Sequence, residues 1–265
     1  MKKTNEKLYQ IILHIFIPLC TVLVVFLAWY IVTKNQMVNP LFLPAPQKVW
    51  EAFLSTITDG YKSNSLWQHL GASLERIIIS FLLAIATAVP LGLASGYIPF
   101  LKRMLEPIIE FIRPLPPLAY YTLIVIWLGI DNESKIMLLT IACFTPIYVS
   151  CSSAVMRIPQ NYLRNAEALG ANKFQVFTRV IMPFTLPDTF SGMRIALGVG
   201  YTTLVSSEIV AARSGIGWMV LDASKFLRSD IIFVGIIVMG ITGILMDQIL
   251  RLIKKLCLPW EGKDF

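Results

Sequence analysis

Thr202, Thr203, Ser206, Ser207 and Glu208 place four hydroxyls and one carboxylate in an otherwise apolar run. At helical spacing they cluster on neighbouring turns. An ionisable side chain inside a membrane span is a functional candidate by default. Two chemistries fit the group. It lines a wet path for a polar solute, or it hydrogen-bonds to neighbouring helices. Covalent catalysis does not fit, because Ser206, Ser207 and Glu208 have no base and orienter beside them. His14 and His69 lie near the ends of apolar runs and show no partner.

A second group surrounds a proline cluster. Glu106, Glu110 and Arg113 precede Pro114-Leu-Pro116-Pro117, and Tyr120, Tyr121 and Trp127 follow it. The spacing lets Arg113 pair with Glu110 or Glu106, or attract an anion. The aromatic residues are candidate walls of a path, although aromatic side chains also gather at membrane interfaces. The remaining ions read as structural. Asp247 and Arg251 form an i,i+4 pair, Asp188 and Arg194 support the neighbouring loop, and Glu75 and Arg76 stand too near a span end to carry a role. Cys20, Cys143, Cys151 and Cys257 show no CxxC or His-paired spacing, so no metal site is expected. No G-x-x-x-x-G-K-[ST] occurs, and Gly262-Lys263 lacks both the first glycine and the hydroxyl residue.

These residues sit on long apolar segments. The 265 residues are 56% hydrophobic and only 15% charged, with mean hydropathy +0.68. Six runs emerge, over residues 11–32, 73–93, a broken third ending in 118–130, 135–155, 190–212 and 231–256. A span needs roughly 20 residues. Lys2, Lys3 and Lys7 before the first run imitate a secretory leader, but the run exceeds an h-region and no A-x-A site follows, so it reads as a retained helix. Residues 47–57 read as a short surface helix. The second run ends in Gly92-Leu-Ala-Ser-Gly96, a pattern that permits close helix packing. In the third run the prolines break the hydrogen-bond ladder. Two readings stay open: a kinked helix lining a pathway, or a helix that starts after the prolines with 105–113 on the membrane surface. The fold class is an all-α membrane protein of six transmembrane helices. The chain reads as one domain over 1–265, with a five-helix unit over about 68–256 and a first span and surface helix over 1–66.

The net charge is +7. The basic residues form no patch with interleaved aromatics, which excludes nucleic acid as a partner. They fit loop flanks instead. With the N-terminus inside, thirteen Lys and Arg fall on the inner side and seven on the outer. That excess puts both termini in the cytoplasm.

The longest inner connection runs over 157–183. Residues 162–169 favour a helix, Gly170 supplies a left-handed stop, and Asn172 caps a second helix that Pro183 ends. Ala166, Ala168, Gly170 and Ala171 form a small-residue surface that another protein's backbone can approach. This segment resembles the "EAA loop" of binding-protein-dependent ABC-importer permeases, E-A-A-x-x-x-G-x(9)-I-x-L-P. The glycine falls on Gly170, the second alanine on Ala166, and the closing residues on Val180, Met182 and Pro183. Arg164 stands where the pattern has Glu, and Asn165 where it has the first Ala; Glu167 is displaced by three positions.

The likeness covers nearly the whole chain. Phe42-Leu-Pro-Ala-Pro46, Trp67-Gln-His-Leu70, Arg113-Pro-Leu-Pro-Pro-Leu118, Ile126-Trp-Leu-Gly-Ile130, Gly215-Ile-Gly-Trp218 and Leu258-Pro-Trp260 are similar to the nitrate/sulfonate/bicarbonate branch, and within it to taurine-type permeases. The resemblance implies a type I importer permease fold in a bacterial inner membrane. Arg164, Ala166, Glu167, Gly170, Ala171 and Pro183 would couple to an ATPase. The partners would be a second permease copy, two ATP-binding subunits, a periplasmic or lipid-anchored solute-binding protein and membrane lipid. The chain would hold no cofactor; ATP and magnesium would sit on the partner subunit. Taurine or a related sulfonate is the expected solute, with nitrate, bicarbonate, aliphatic sulfonate or a thiamine-precursor-like solute as alternatives. A secondary transporter or channel is the rival class, but it commonly shows inverted repeats, and none is evident.

Overall fold

The structure, a computed structural model, describes residues 2–260; for residues 2–15 and for 211 it describes the backbone alone. Among the described residues the chain is helical, with no named strand and one isolated bridge, Tyr61 with Asn64. The helices are α1 (Lys2–Lys34), α2 (Pro46–Thr58), α3 (Leu66–Tyr97), α4 (Pro99–Ile112), α5 (Pro117–Leu128) and α6 (Asn132–Met156). They continue as α7 (Gln160–Ala168), α8 (Lys173–Val176), a π-helical turn (Phe177–Ile181), α9 (Met182–Ala211), α10 (Ile216–Lys225) and α11 (Ser229–Cys257).

Among the described residues four helices are long and apolar enough to cross a membrane: α1 from Phe16, α3, α6 and α11. A fifth span results if α4 and α5 are taken together, but their axes turn by 102° at the break. The prolines explain the turn. Pro116 and Pro117 lack backbone donors, and Pro117 starts α5 as a first-turn proline. α4 is therefore not the lower half of a gently kinked helix. α5 has 12 residues, about 18 Å at 1.5 Å per residue, and ends at Gly129, whose φ of 86° stops the helix. α9 matches the spans in length, with 30 residues, but is richer in hydroxyls, glycine and charge.

α6 is the central helix and packs most extensively on α3 and α9. Its close approach to α3 depends on Gly92 and Gly96. A Cβ on Gly92 would lie 2.7 Å from Cys151 Cβ, and one on Gly96 would lie 2.6 Å from Val155 Cβ. The core follows from this contact: Ile77, Ala84 and Ala88 of α3 meet Cys143, Ile147 and Cys151 of α6 and Ala196 of α9, all fully buried. α3 starts seven residues before the apolar run. Ser65 and Gln68 form a reciprocal capping box that satisfies two orphan N–H groups there.

α2 and α10 gather at one end of the bundle against α11. There Tyr61 donates to Asp222 at 2.8 Å, and Lys62 lies 2.6 Å from the same carboxylate. Burial and then the Asp222 hydrogen bond push the Tyr61 phenol up to about 12. Burial would raise Asp222, but the hydrogen bonds from Lys62 and Tyr61 outweigh it and hold the carboxyl below its usual range. α1 stands apart: Trp29 stacks on Phe233 and donates to the Pro44 carbonyl, while its apolar residues from Phe16 onward are largely exposed.

The Gly92 contact sets a measurable expectation. Gly92→Leu should destabilise the purified protein by roughly 1–3 kcal/mol, the usual range for overpacking. Gly71→Leu on the same helix, where a Cβ meets nothing within 4 Å, should leave thermal unfolding in detergent unchanged. Equal melting of the two variants would count against the packing role.

Candidate functional site

Three places bring together residues singled out in the sequence. The first is the turn between α7 and α8, at the end of the bundle opposite α10. Gly170 adopts φ 85°, a left-handed conformation that favours glycine. Its N–H donates to Glu167 O at 2.9 Å, and Ala171 N–H donates to Ala166 O at 3.0 Å. That pair of bonds is a Schellman stop. Asn172 and Gln175 then form a capping box on α8, with both bonds at 2.9 Å. A Cβ on Gly170 would meet no neighbour, so glycine is required there by the backbone angle and not by crowding within the chain.

The outward surface of this turn differs from the expected one. Ala166 and Ala171 turn inward and pack against the core with Leu163 and Phe177. They do so because the Schellman turn folds the residue after the glycine back onto the helix. Arg164, Glu167 and Gly170 face outward. Beside them stand Leu169, 89% exposed, and Phe174, 74% exposed. Neither was among the coupling residues expected from the sequence, where Phe174 stands on the apolar side of the second helix; an apolar residue next to the glycine stop was the available signal. Pro183 is a further correction. It does not end the second helix. The backbone stays helical from α8 through the π turn into α9, where Pro183 occupies the first turn. Because the helix continues through this point, Pro183 removes one donor from the ladder, just after the π turn in which the ladder shifts its register. Asp188 reaches the start of the segment through Arg157 at 2.8 Å. Arg194 does not: it pairs with Asp247 at 2.7 Å on α11, beside Arg251.

The second place is a buried polar cluster at the α10 end. Glu208 is 1% exposed and Arg76 4%. Arg76 Nη1 donates to Glu208 Oε1 at 2.7 Å and to Ser214 O at 2.8 Å, and Nε donates to Asn132 Oδ1 at 3.0 Å. Ser73 donates to the same Glu208 oxygen at 2.7 Å and accepts from Ile216 N–H at 2.9 Å. Gly217 N–H donates to Glu208 Oε2 at 2.8 Å. His69 Nδ1 accepts from Gly215 N–H at 3.2 Å, which leaves Nε2 as the donor toward Tyr61 O. Glu208 thus faces α3 and α10 as an interhelical ion, not an open path. Arg76, given no role from its position near a span end, is its partner. The pattern His69, Ser73, Arg76, at i, i+4 and i+7, was the legible signal.

The third place is a cleft of about 280 Å³ lined by Arg113, Tyr120, Thr145, Ser150, Ile195 and Val199 among others. It joins the α4–α5 break to α6 and α9. Of the other candidates, Tyr121 is buried in a small cluster with Ile124 and Leu138, and Trp127 is exposed near the far end of α5. Thr202 is exposed, Ser206 partly so, and Thr203 and Ser207 are buried. All four of these hydroxyls donate back to their own helix. Arg113 meets neither Glu106, which pairs with Lys102 at 3.2 Å, nor Glu110.

Comparison with known proteins matches this architecture. A family model described as "Binding-protein-dependent transport system inner membrane component" matches residues 88–256. The chain is 42% identical to the Taurine transport system permease protein TauC of Escherichia coli (strain K12), over 92% of this chain and 89% of that protein. It is 33% identical to the Putative aliphatic sulfonates transport permease protein SsuC of the same organism, over 88% and 87%. Among solved structures, the inward-facing MetNI methionine ABC transporter gives a TM-score of 0.58, over 71% of this chain and 95% of that one, at 16% identity. That last likeness concerns the fold.

The Arg76–Glu208 pair yields a prediction about stability. Removing one partner of a buried pair strands the other, so Arg76→Met should cost about 3–5 kcal/mol. The double variant Arg76→Met with Glu208→Leu should recover most of it. Unfolding of the four forms in one detergent measures the coupling, and additive losses would contradict it.

Proposed function

From the premise that the chain belongs to the family of binding-protein-dependent transport system inner membrane components, we propose that it carries taurine or a related small sulfonate across the membrane. Its own part is that of a permease component of an ABC importer; ATP hydrolysis belongs to a separate subunit. The observation that supports the substrate is the 42% identity, across 92% of the chain, to a relative named for taurine. A second relative, named for aliphatic sulfonates, points to the same chemical class.

In this reading two copies of the chain surround one path, two ATP-binding subunits dock below, and a solute-binding protein delivers the solute from above. The α7 end is cytoplasmic, as are both termini, and the α10 end faces outward in the inner membrane. The excess of Lys and Arg on the inner loops supports that orientation. ATP and its magnesium stay on the partner subunit. Arg164, Glu167 and Gly170 form the docking turn, with Leu169 and Phe174 as its apolar contacts. The exposure of two large apolar side chains on a short turn supports a protein partner there. Ala166, Ala171 and Pro183 shape the turn from behind. ATP drives transport only by favouring one conformation of the assembly over the other.

Two measurements test this. Gly170→Asp should abolish co-purification with the ATP-binding subunit while membrane insertion is kept, because it strains the turn and adds charge to the docking surface; undiminished co-purification would refute the role of Gly170. Cells supplying the chain with its ATPase and binding protein should take up labelled taurine or an alkanesulfonate. Uptake of nitrate in their place would move the chain to the nitrate arm of the branch.

A further inference from the structure

The cleft beside Arg113 lies at mid-depth in the helices that form it. Its α6 residues run from Ile141 to Ser150 in a helix over Asn132–Met156, about 13–27 Å along a length of roughly 37 Å. Its α9 residues, Ile195 and Val199, fall in the middle third of Met182–Ala211. The volume of about 280 Å³ sits at the lower edge of the roughly 300–1,000 Å³ common for ligand pockets.

The polar groups in this cleft are uncommitted. Among the described residues no carboxylate lies within ion-pair distance of the Arg113 guanidinium, although seven other arginines or lysines have such partners. Other span hydroxyls are committed, either to their own helix, as Thr140, Thr185, Thr189 and Thr203 are, or to another, as Ser73 and Ser95 are. Those of Tyr120, Thr145 and Ser150 make no side-chain hydrogen bond among the described residues. Pro146 also lines the cleft. Lacking an N–H, it leaves the Ala142 carbonyl, four residues earlier on the same wall, without its helical donor. A second polar hollow near Arg76, Lys135 and Arg213 offers less. There Arg76 is held by Glu208, Ser214 and Asn132, and Lys135 donates to the Ile130 and Asp131 carbonyls.

We propose that the Arg113 cleft is the station in the translocation path that receives the anionic head of the solute. The inference rests on the sulfonate reading above and adds the residue that meets the sulfonate. A guanidinium presents a planar fork of donors that matches the oxygens of an oxyanion. The Thr145 and Ser150 hydroxyls supply further donors. Ile141, Val149, Ile195 and Val199 suit a short methylene chain. The Ala142 carbonyl, which Pro146 cannot serve as a helical donor, suits the ammonium of an aminosulfonate. Arg113 is exposed on the cleft side of the break, so an incoming anion can reach its guanidinium and be neutralised there.

The test uses the full importer, with its ATPase and binding protein, in proteoliposomes. It reads uptake of labelled taurine and of an alkanesulfonate, together with ATP hydrolysis stimulated by the loaded binding protein. Arg113→Gln should lower uptake of both solutes at least tenfold and leave stimulated ATP hydrolysis within twofold. Arg113→Lys, which keeps the charge, should retain at least a third of the uptake. Uptake by Arg113→Gln within twofold of the parent would overturn the proposal. So would failure of both variants to co-purify with the ATPase, since that marks a structural role. If the parent importer moves neither sulfonate, the substrate reading itself fails and takes this ligand with it, an outcome visible before any variant is made.

Discussion

The carboxylate of Glu208 organises one whole end of the molecule. Two of its contacts come from α3, through Ser73 and Arg76, and one from α10, through Gly217. Arg76 carries the connection on to α6 through Asn132 and to the turn before α10 through Ser214. Four separate elements are therefore fixed by one buried ion and its partner. A lone carboxylate in this place would be prohibitively unfavourable. With an arginine, a hydroxyl and a backbone N–H arranged around it, the cost of desolvation is offset and the geometry becomes specific. α10, ten residues long, is held both by these polar bonds and by the buried Ile216, Met219 and Ala223 side chains that pack with α2 and α11. The close fit of Gly217, and of Ser73 between Glu208 and Ile216, explains why small residues occupy those points.

What the sequence made legible was local. Gly170 followed by Asn172 announces a stop and a restart within three residues, and the structure has both the Schellman turn and the capping box. Gly92 and Gly96 announce close packing, and α6 fills the space. The long apolar runs gave the spans, with ends shifted by caps such as Ser65. What stayed hidden depends on distance in the chain. Arg76 and Glu208 are 132 residues apart, and no pattern within either helix names the other. The inward turn of Ala166 and Ala171 follows from how the α7–α8 turn sits on the bundle. Composition alone does not reveal which face that is.

The proline cluster shows how one local rule leads to a larger arrangement. Removing backbone donors at Pro116 and Pro117 breaks the ladder, and α4 leaves the axis of α5 by 102°. Backbone interrupted at membrane depth persists only beside protein or water that can satisfy it. Here the interruption opens onto the cleft shared with α6 and α9, so the same feature that shortens α5 exposes Arg113. Pro146 on the facing helix removes one backbone donor beside the same space. Polar groups at mid-depth thus arise from backbone breaks as much as from polar side chains.

The uninterrupted passage from α8 through the π turn into α9 has a mechanical meaning. α9 has 30 residues, roughly 45 Å at 1.5 Å per residue. The Gly170 turn joins its first end through α8 and the π turn, and Glu208 lies near the other end. Pro187 interrupts the α9 ladder in the second turn; the residues beyond it, over about 36 Å, form a lever whose far end moves by about 3 Å for a tilt of about 5°. That displacement exceeds the length of any hydrogen bond around Glu208. A motion of the short α8 segment reaches the polar cluster only through the π turn and past Pro183 and Pro187, the points at which this helix can bend.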